Sequence, residues 1–221
     1  MSGYDLSEIV DVPALAAVDP GTSLLIAGPP MVGKAALVRA VLTDGARRGE
    51  GAIAITTDRS AVDLVEEIRA AAETIPPGRL AGIDCRGGTD DAAEGSDRQW
   101  YRYGVAAPSD VTGLGIGITN SFERLRTAGA DRIRLGLDTL SSMVTYSDPE
   151  TVFKFCHVLT SRIDSSGYLG VFSLSLAAHD EQTIQVVTQP FDGLIEVRDR
   201  DGRREARVRG LTAEPSPWVP M

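Results

Sequence analysis

Short apolar runs alternate along this chain with longer segments in which apolar residues recur at the spacing of a helix. The apolar runs predict the strands of a central sheet over residues 23–27, 51–57, 80–85, 132–142 and 168–176. The periodic segments predict helices over residues 34–48, 61–69, 111–128 and 151–164. Strands and helices that alternate in this way predict an α/β fold, with a mostly parallel central sheet flanked by helices.

The segments outside this alternation are shorter or less regular. Residues 1–20 are a lead-in that we expect to pack on the domain, and residues 86–108 predict an acidic, mobile surface loop. Short runs at 183–188, 193–197 and 203–209 close the chain, and the last two predict an antiparallel hairpin. Residues 212–221 are a tail that could dock on this chain or on another one. The length of 221 residues suits one domain over 1–221.

The charge of the chain argues against nucleic acid as its partner. There are 31 acidic and 22 basic residues, a formal net charge of −9, and every basic residue except Lys34 and Lys154 is an arginine. A net negative field repels phosphate backbones at low salt, and molar salt screens the remaining contacts. An acidic, lysine-poor composition resembles that of proteins adapted to high salt, although a GC-rich genome also favours arginine.

Neither a membrane span nor an export signal is predicted. No apolar run reaches the roughly eighteen residues of a membrane helix, and the first residues lack a basic segment followed by an apolar one. We therefore expect a cytoplasmic protein. Cys85 and Cys156 lie far apart without the spacing of metal ligands, so we expect two buried thiols rather than a zinc site or a disulfide.

The most specific chemical signal directly follows the first predicted strand. It has the spacing G-x-x-x-x-G-K between a strand and a helix, which is the context of a phosphate-binding loop. In such a loop backbone N–H groups surround a phosphate, while the helix N-terminus and the lysine add positive charge. The alternative is an ordinary Gly/Pro turn, which has no need of a lysine at this place. The predicted nucleotide-binding residues are Gly28, Pro29, Pro30, Met31, Val32, Gly33, Lys34 and Ala35.

Magnesium binding depends on two further positions. Residue 35 is Ala, whereas the loop motif has Ser or Thr there, whose hydroxyl binds Mg²⁺ between the phosphates. Asp138 closes a predicted central strand, so its carboxylate would face the loop and could hold Mg²⁺ directly or through water. The alternative is that Asp138 has a structural role only, because apolar runs that end in Asp are common in α/β proteins.

With its parts in this order, the chain resembles the RecA-superfamily ATPases, and most closely the single-domain KaiC-like proteins of archaea. The resemblance covers about residues 19–211. The loop at 28–34 stands where the family tends to have GPPGTGKT, and the segment 138–141 stands where it has an apolar strand followed by Asp and Ser or Thr. The segment 191–197 is similar to the D-G-hydrophobic-I-E-L ending of the family. The resemblance implies a RecA-like P-loop NTPase fold, with ATP and Mg²⁺ as cofactors.

The chain also departs from the pattern of this family. The family has two glutamates after its second strand, one of them the general base, and here Asp58 and Arg59 stand at those places. Asp58 is thus the candidate catalytic residue. The alternative is that Asp58 is an acidic residue beside Ser60 at the start of the next helix, where its charge interacts favourably with the helix dipole. In hexameric relatives, basic residues of the closing hairpin reach a neighbour's γ-phosphate. Both that role and a solvated strand face stay open here for Arg203, Arg204, Arg207 and Arg209.

The leading functional hypothesis is an ATP-binding, KaiC-like regulatory or signalling protein. Because Met31, Ala35 and Asp58 depart from the family pattern, we expect weak or absent ATP hydrolysis and action through nucleotide-dependent assembly or partner binding. A protein partner or self-association is expected. The alternatives are a scaffold on the same fold that binds no nucleotide, and a recombination accessory factor like the RadA paralogues, against which the acidic surface counts.

Overall fold

The computed structural model describes residues 3–87 and 99–221. Its strands are β1 (Ser23–Gly28), β2 (Gly51–Thr56), β3 (Leu80–Asp84), β4 (Tyr101–Gly104), β5 (Ile133–Asp138), β6 (Leu169–Ser175), β7 (Gly193–Arg200), β8 (Arg203–Arg209) and β9 (Val219–Pro220). Its helices are α1 (Lys34–Arg47), α2 (Ala61–Ala72), α3 (Val111–Thr127), α4 (Leu140–Tyr146), α5 (Pro149–Ser166) and α6 (Glu181–Thr188). Short 3₁₀ turns lie at Pro13–Leu15 and Leu176–Ala178.

Within these described residues the strands form one sheet in the order β4-β3-β2-β5-β6-β1-β7-β8-β9. The neighbouring pairs from β4 to β7 are parallel, whereas the pairs β7/β8 and β8/β9 are antiparallel. The predicted α/β architecture with an antiparallel C-terminal extension is therefore confirmed. Because parallel strands point the same way, the carboxyl ends of β2, β5, β6 and β1 meet at one edge of the sheet.

The central strands are buried on both faces, because successive side chains of a strand point to opposite sides. In β1, Leu24 and Ile26 pack in the layer that contains α1 and α2. Leu25 and Ala27 pack in the opposite layer, with α3, α4 and α5. The continuous apolar run that marked β1 in the sequence thus supplies both halves of the core.

Residues at the helix boundaries explain where three helices begin. The Ser60 side chain accepts a hydrogen bond from the backbone N–H of the third residue of α2, and Asp110 caps α3 in the same way. Pro149 is the first residue of α5, where its missing N–H leaves no hydrogen bond unmade. The predicted antiparallel hairpin is formed by β7 and β8, and it turns at Asp201 and Gly202, which both have a positive φ.

Two sequence-based predictions are wrong in part. The predicted loop over 86–108 contains strand β4 at its end, and its residues 88–98 lie outside the described part of the chain. The predicted strand over 132–142 ends at Asp138, and helix α4 begins only two residues later. The Thr139 side chain accepts a hydrogen bond from the N–H of Ser141, 3.3 Å away, and so caps this helix.

The lead-in and the tail both pack on the domain. Tyr4 pairs with Val18 through backbone hydrogen bonds, and its buried hydroxyl donates to the carbonyl of Gly167 at 3.1 Å. In the tail, β9 pairs with β8, so that Val219 lies opposite Ala206. None of the described helices combines the length and the apolar character needed to span a membrane.

A buried ion cluster joins α1 and β5 to Glu50, the residue before β2. The Arg134 side chain is 0 % exposed and lies 2.5 Å from a carboxylate oxygen of Glu50 and 2.8 Å from one of Asp44. It also donates to the carbonyl of Val41 at 3.0 Å. These contacts give Arg134 a structural role, since a buried guanidinium needs charged and hydrogen-bonding partners.

Candidate functional site

The sheet order brings three sequence-predicted features to one edge. The Gly28–Lys34 loop follows β1, Asp138 ends β5, and Asp58 follows β2. Ser175 of β6 lies beside Gly28, and Thr56 of β2 lies beside Asp138. Residues that are distant in the chain, such as Thr56 and Asp138, therefore share one site because the strands that carry them are neighbours.

The path of the Gly28–Lys34 loop depends on its glycines. A Cβ on Gly28 would lie 2.2 Å from the backbone oxygen of Val197 in β7, which leaves no room for a side chain. Gly33, the residue before α1, has a φ of 97°, in the left-handed region that favours glycine. Met31 at the tip has a φ of 60° and a side chain that is 93 % exposed. The loop thus turns sharply with its backbone close to the sheet.

Lys34 is the first residue of α1 and is buried, with 9 % of its surface exposed. Its Nζ donates to the carbonyl of Gly28 at 3.1 Å and to the carbonyl of Pro29. Burial lowers the pKa of Lys34, while the Asp138 carboxylate acts in the opposite direction. The ammonium group is therefore held under the loop and within electrostatic reach of the carboxylate at the end of β5.

Asp138 is 8 % exposed and accepts a hydrogen bond from the Ser173 hydroxyl at 2.7 Å. Burial raises the pKa of Asp138, and the charge of Asp58 adds to the increase, whereas Ser173, Arg59 and Lys34 oppose it. The Thr57 hydroxyl bonds to both the N–H and the carbonyl of Thr139, at 3.1 and 3.2 Å, and so holds the backbone just after Asp138. Sequence reasoning did not identify the role of Thr57.

Asp58 and Arg59 lie at the same edge but are directed differently. The Asp58 side chain is exposed. The Arg59 guanidinium pairs with Glu67 on α2, and Glu67 also binds Arg39 on α1 at 2.7 Å. Arg59 therefore adds to an ion cluster in which Glu67 and Arg39 join α2 to α1. The exposed Asp58 carboxylate lies within electrostatic reach of Asp138, and its role as a general base stays a prediction.

The hairpin arginines divide between the two faces of the sheet. Arg207 and Arg209 both pair with Glu196 of β7. Arg204 points to the other face, and its Nη1 lies 3.2 Å from the place that a Cβ on Gly33 would occupy. Sequence reasoning treated these arginines as one group, although the strand alternation separates them.

A second concave surface lies away from this edge. A mostly apolar groove of about 720 Å³ runs between α3 and α5, on the opposite face of the sheet from α1. Ile116 and Val158 line it and are 50 % and 68 % exposed. The charged residues that line it are Lys154 and Arg162. Among the described residues, no group of three or more His, Cys, Asp or Glu side chains is placed to hold a metal ion.

Comparison with solved structures identifies a similar fold. A KaiC-like protein, PH0186, from the hyperthermophilic archaeon Pyrococcus horikoshii OT3 is similar over 99 % of this chain and 92 % of that chain. The TM-score is 0.61 and the sequence identity is 14 %, so the likeness concerns the fold. The predicted RecA-like α/β fold of the KaiC-like type is thereby confirmed.

Comparison with sequences gives one further finding. No curated protein matches this chain. A family model described as "Family of unknown function (DUF7504)" matches residues 21–197, from the turn before β1 to the middle of β7. This match includes the Gly28–Lys34 loop, Asp58 and Asp138, and the chain belongs to this family of unknown function.

Proposed function

We propose that this protein binds ATP through the Gly28–Lys34 loop. The observation that carries the proposal is the buried ammonium of Lys34, held at the start of α1 beneath a glycine-bounded loop and facing Asp138. A buried cation whose hydrogen-bond partners are carbonyls is costly, and an anionic phosphate would add negative charge to that of Asp138. The N-terminus of α1 adds its partial positive charge at the same place.

Magnesium fits the site less completely than the phosphates do. Asp138 is the carboxylate that would hold Mg²⁺, directly or through water, with Ser173 orienting it. Ala35 in the first turn of α1 offers no hydroxyl to the metal. Bound Mg²⁺ would neutralise phosphate charge. An incomplete set of metal ligands supports weak or absent hydrolysis, which suits a regulatory switch acting through a protein partner or self-association.

Titration calorimetry with ATP tests this proposal, at high salt and with and without Mg²⁺. Lys34→Ala should weaken binding by about 2–3 kcal/mol, because a desolvated, charge-assisted contact is lost. Lys154→Ala is the matched control, since Lys154 is the other lysine of the chain and lies exposed beside Glu150. Equal affinity of the Lys34→Ala and Lys154→Ala variants would refute the assignment of the loop.

The Ala35→Thr variant tests the metal half of the proposal. A hydroxyl at this position should make ATP binding more dependent on Mg²⁺, measured as the ratio of affinities with and without the ion. Analysis of the bound sample for ADP then separates an ATPase from a protein that binds ATP without hydrolysis. An unchanged ratio would show that the loop does not share the usual metal geometry.

The alternative function is a scaffold that binds no nucleotide, and the α3/α5 groove favours it. An exposed apolar groove on a strongly acidic protein is typical of an interaction surface. Because its charged lining residues are Lys154 and Arg162, the partner that fits is an apolar segment carrying carboxylates. Absence of ATP binding by the wild-type protein would favour this alternative.

A further inference from the structure

Three glycines in the first half of helix α3 differ in what the fold requires of them. A Cβ on Gly117 would lie 2.5 Å from the ring of Tyr103. A Cβ on Gly113 would lie 2.3 Å from a carboxylate oxygen of Asp110, which caps the helix. A Cβ on Gly115 would meet nothing within 4 Å among the described residues. Gly115 lines the α3/α5 groove, and packing within the described chain does not explain it.

The glycine at position 115 disfavours the helix that contains it. Glycine in a helix interior is less favourable than alanine, because it loses more backbone freedom on folding. A helix surface without a side chain, however, lets another chain approach its backbone closely. The place of Gly115 in the wall of the groove therefore favours a surface on which something outside the described chain packs.

Exposed apolar side chains on both walls of the groove support the same conclusion. Ile116 on α3 and Val158 on α5 line the groove and expose half or more of their surface. Phe155 lies about one turn before Val158, lines the same wall and is partly buried. Large apolar side chains that are exposed together along one groove are typical of a surface that a partner covers.

The charges along the groove indicate the chemistry of its occupant. The chain has a net charge of −9, yet the charged side chains that line the groove are those of Lys154 and Arg162. Lys154 pairs with the exposed Glu150 at 2.8 Å, whereas Arg162 makes no ion pair with any residue that the structure describes. Carboxylates on a partner would therefore complement the charge of the groove.

The spacing of these cations argues against a second copy of this chain as the occupant. Lys154, Val158 and Arg162 follow one another at four-residue intervals, so they lie along one face of α5. In a symmetric dimer the same face of both copies meets across a twofold axis. With the axis at Val158, Lys154 of each copy would approach Arg162 of the other, and the like charges would repel.

We propose that the α3/α5 groove binds a segment of another protein that carries large apolar side chains flanked by carboxylates. The apolar side chains fill the space over Gly115 between Ile116 and Val158, and the carboxylates pair with the two cations of α5. The groove lies on the opposite face of the sheet from α1 and contains no residue of the Gly28–Lys34 loop. Docking therefore goes beyond the proposed ATP site, and an ATP-binding protein can use the groove as well as a scaffold can.

Selection from a display library of random peptides tests the charge preference. The peptides have about fifteen residues, which is long enough for a short helix. Those selected on the wild-type protein should combine large apolar residues with Asp or Glu. Because the protein is acidic overall, nonspecific attraction would enrich basic peptides instead. Enrichment of basic peptides, or of no peptide, would overturn the proposal.

Fluorescence anisotropy with the most enriched acidic peptide locates its binding site. Gly115→Leu should weaken binding about tenfold or more, because the new side chain fills the groove while leucine favours the helix. Val158→Asp should have a similar effect. Tyr146→Asp is the matched control and should stay within about twofold of the wild type, because Tyr146 is as exposed as Val158, at 68 %, and does not line the groove.

The remaining outcomes separate this proposal from its rivals. Unchanged affinity of Gly115→Leu, or equal losses in Val158→Asp and Tyr146→Asp, would overturn docking at the groove. A wild-type dimer that Val158→Asp converts to a monomer in sedimentation equilibrium would assign the groove to a second copy and overturn the proposal as well. Peptide binding is measured without ATP, so absence of ATP binding in calorimetry would refute the proposed function alone.

Discussion

Replacement of Gly28 by alanine tests whether the loop is held against the sheet as the structure shows. Gly28 is the last residue of β1, and β1 lies between β6 and β7 in the sheet. The added methyl carbon would lie 2.2 Å from the Val197 carbonyl oxygen, about 1.2 Å closer than an ordinary contact at 3.4 Å. Because that oxygen belongs to the backbone of a strand, relief of the clash requires β1 and β7 to separate.

The expected cost follows from this displacement. Forced movement of a packed backbone costs roughly 2–4 kcal/mol, at the upper end of ordinary core overpacking. For a chain of 221 residues, such a loss lowers the unfolding midpoint by roughly 4–16 °C. ATP binding should weaken as well, because the carbonyl of Gly28 positions Lys34.

Urea unfolding followed by circular dichroism measures the change, since a shift of the midpoint without a change of slope reports stability. Gly115→Ala is the control, because a Cβ on Gly115 in the middle of α3 meets nothing within 4 Å. It should raise the free energy of unfolding by roughly 0.5–1 kcal/mol, as alanine favours the helix. A Gly28→Ala variant as stable as the wild type would refute the close approach of β1 and β7.

Three further predictions follow from buried charges and thiols. Asp138→Asn should raise the free energy of unfolding at neutral pH. The pKa of Asp138 is raised, so its ionisation costs stability as the pH rises through that pKa. In urea titrations over a pH series, the gain in stability should therefore vanish in acid. Arg134→Met should lower the free energy of unfolding by roughly 3–5 kcal/mol, because Glu50 is left with less compensating positive charge. A double variant that also carries Glu50→Met should recover part of this loss, as measured by thermal unfolding. Burial raises the pKa of Cys85 and Cys156 to about 12, so a thiol reagent at pH 8 should label them only on unfolding, and rapid labelling of the native protein would contradict their burial.

Several elements could be predicted because local chemistry decides them. The buried runs at β1, β2 and β6 are largely apolar and carry no charged residue, so they differ from surface segments. The caps of α2, α3 and α5 and the turn between β7 and β8 depend on residues close in sequence. The loop spacing from Gly28 to Lys34 belongs to the same class of signal.

The two missed elements have weaker local signals. Strand β4 has four half-buried residues, including Arg102, and is a strand because it adds to the edge of β3. Helix α4 follows β5 after a single residue, so no turn segment in the sequence separates the two elements. Its buried residues Leu140, Met143 and Val144 do have helical spacing, and that spacing was the available clue.

The sequence by itself determined the alternation of strands and helices, the glycine-bounded loop and the strand that ends in Asp138, since each depends on residues within a few positions of one another. The tertiary structure alone decided that β5 and β6 lie between β2 and β1, which brings Lys34, Asp58 and Asp138 to one edge. It also decided that Arg204 faces Gly33 while Arg207 and Arg209 bind Glu196. The order of strands in a sheet results from the packing of distant segments, and local spacing carries no record of it.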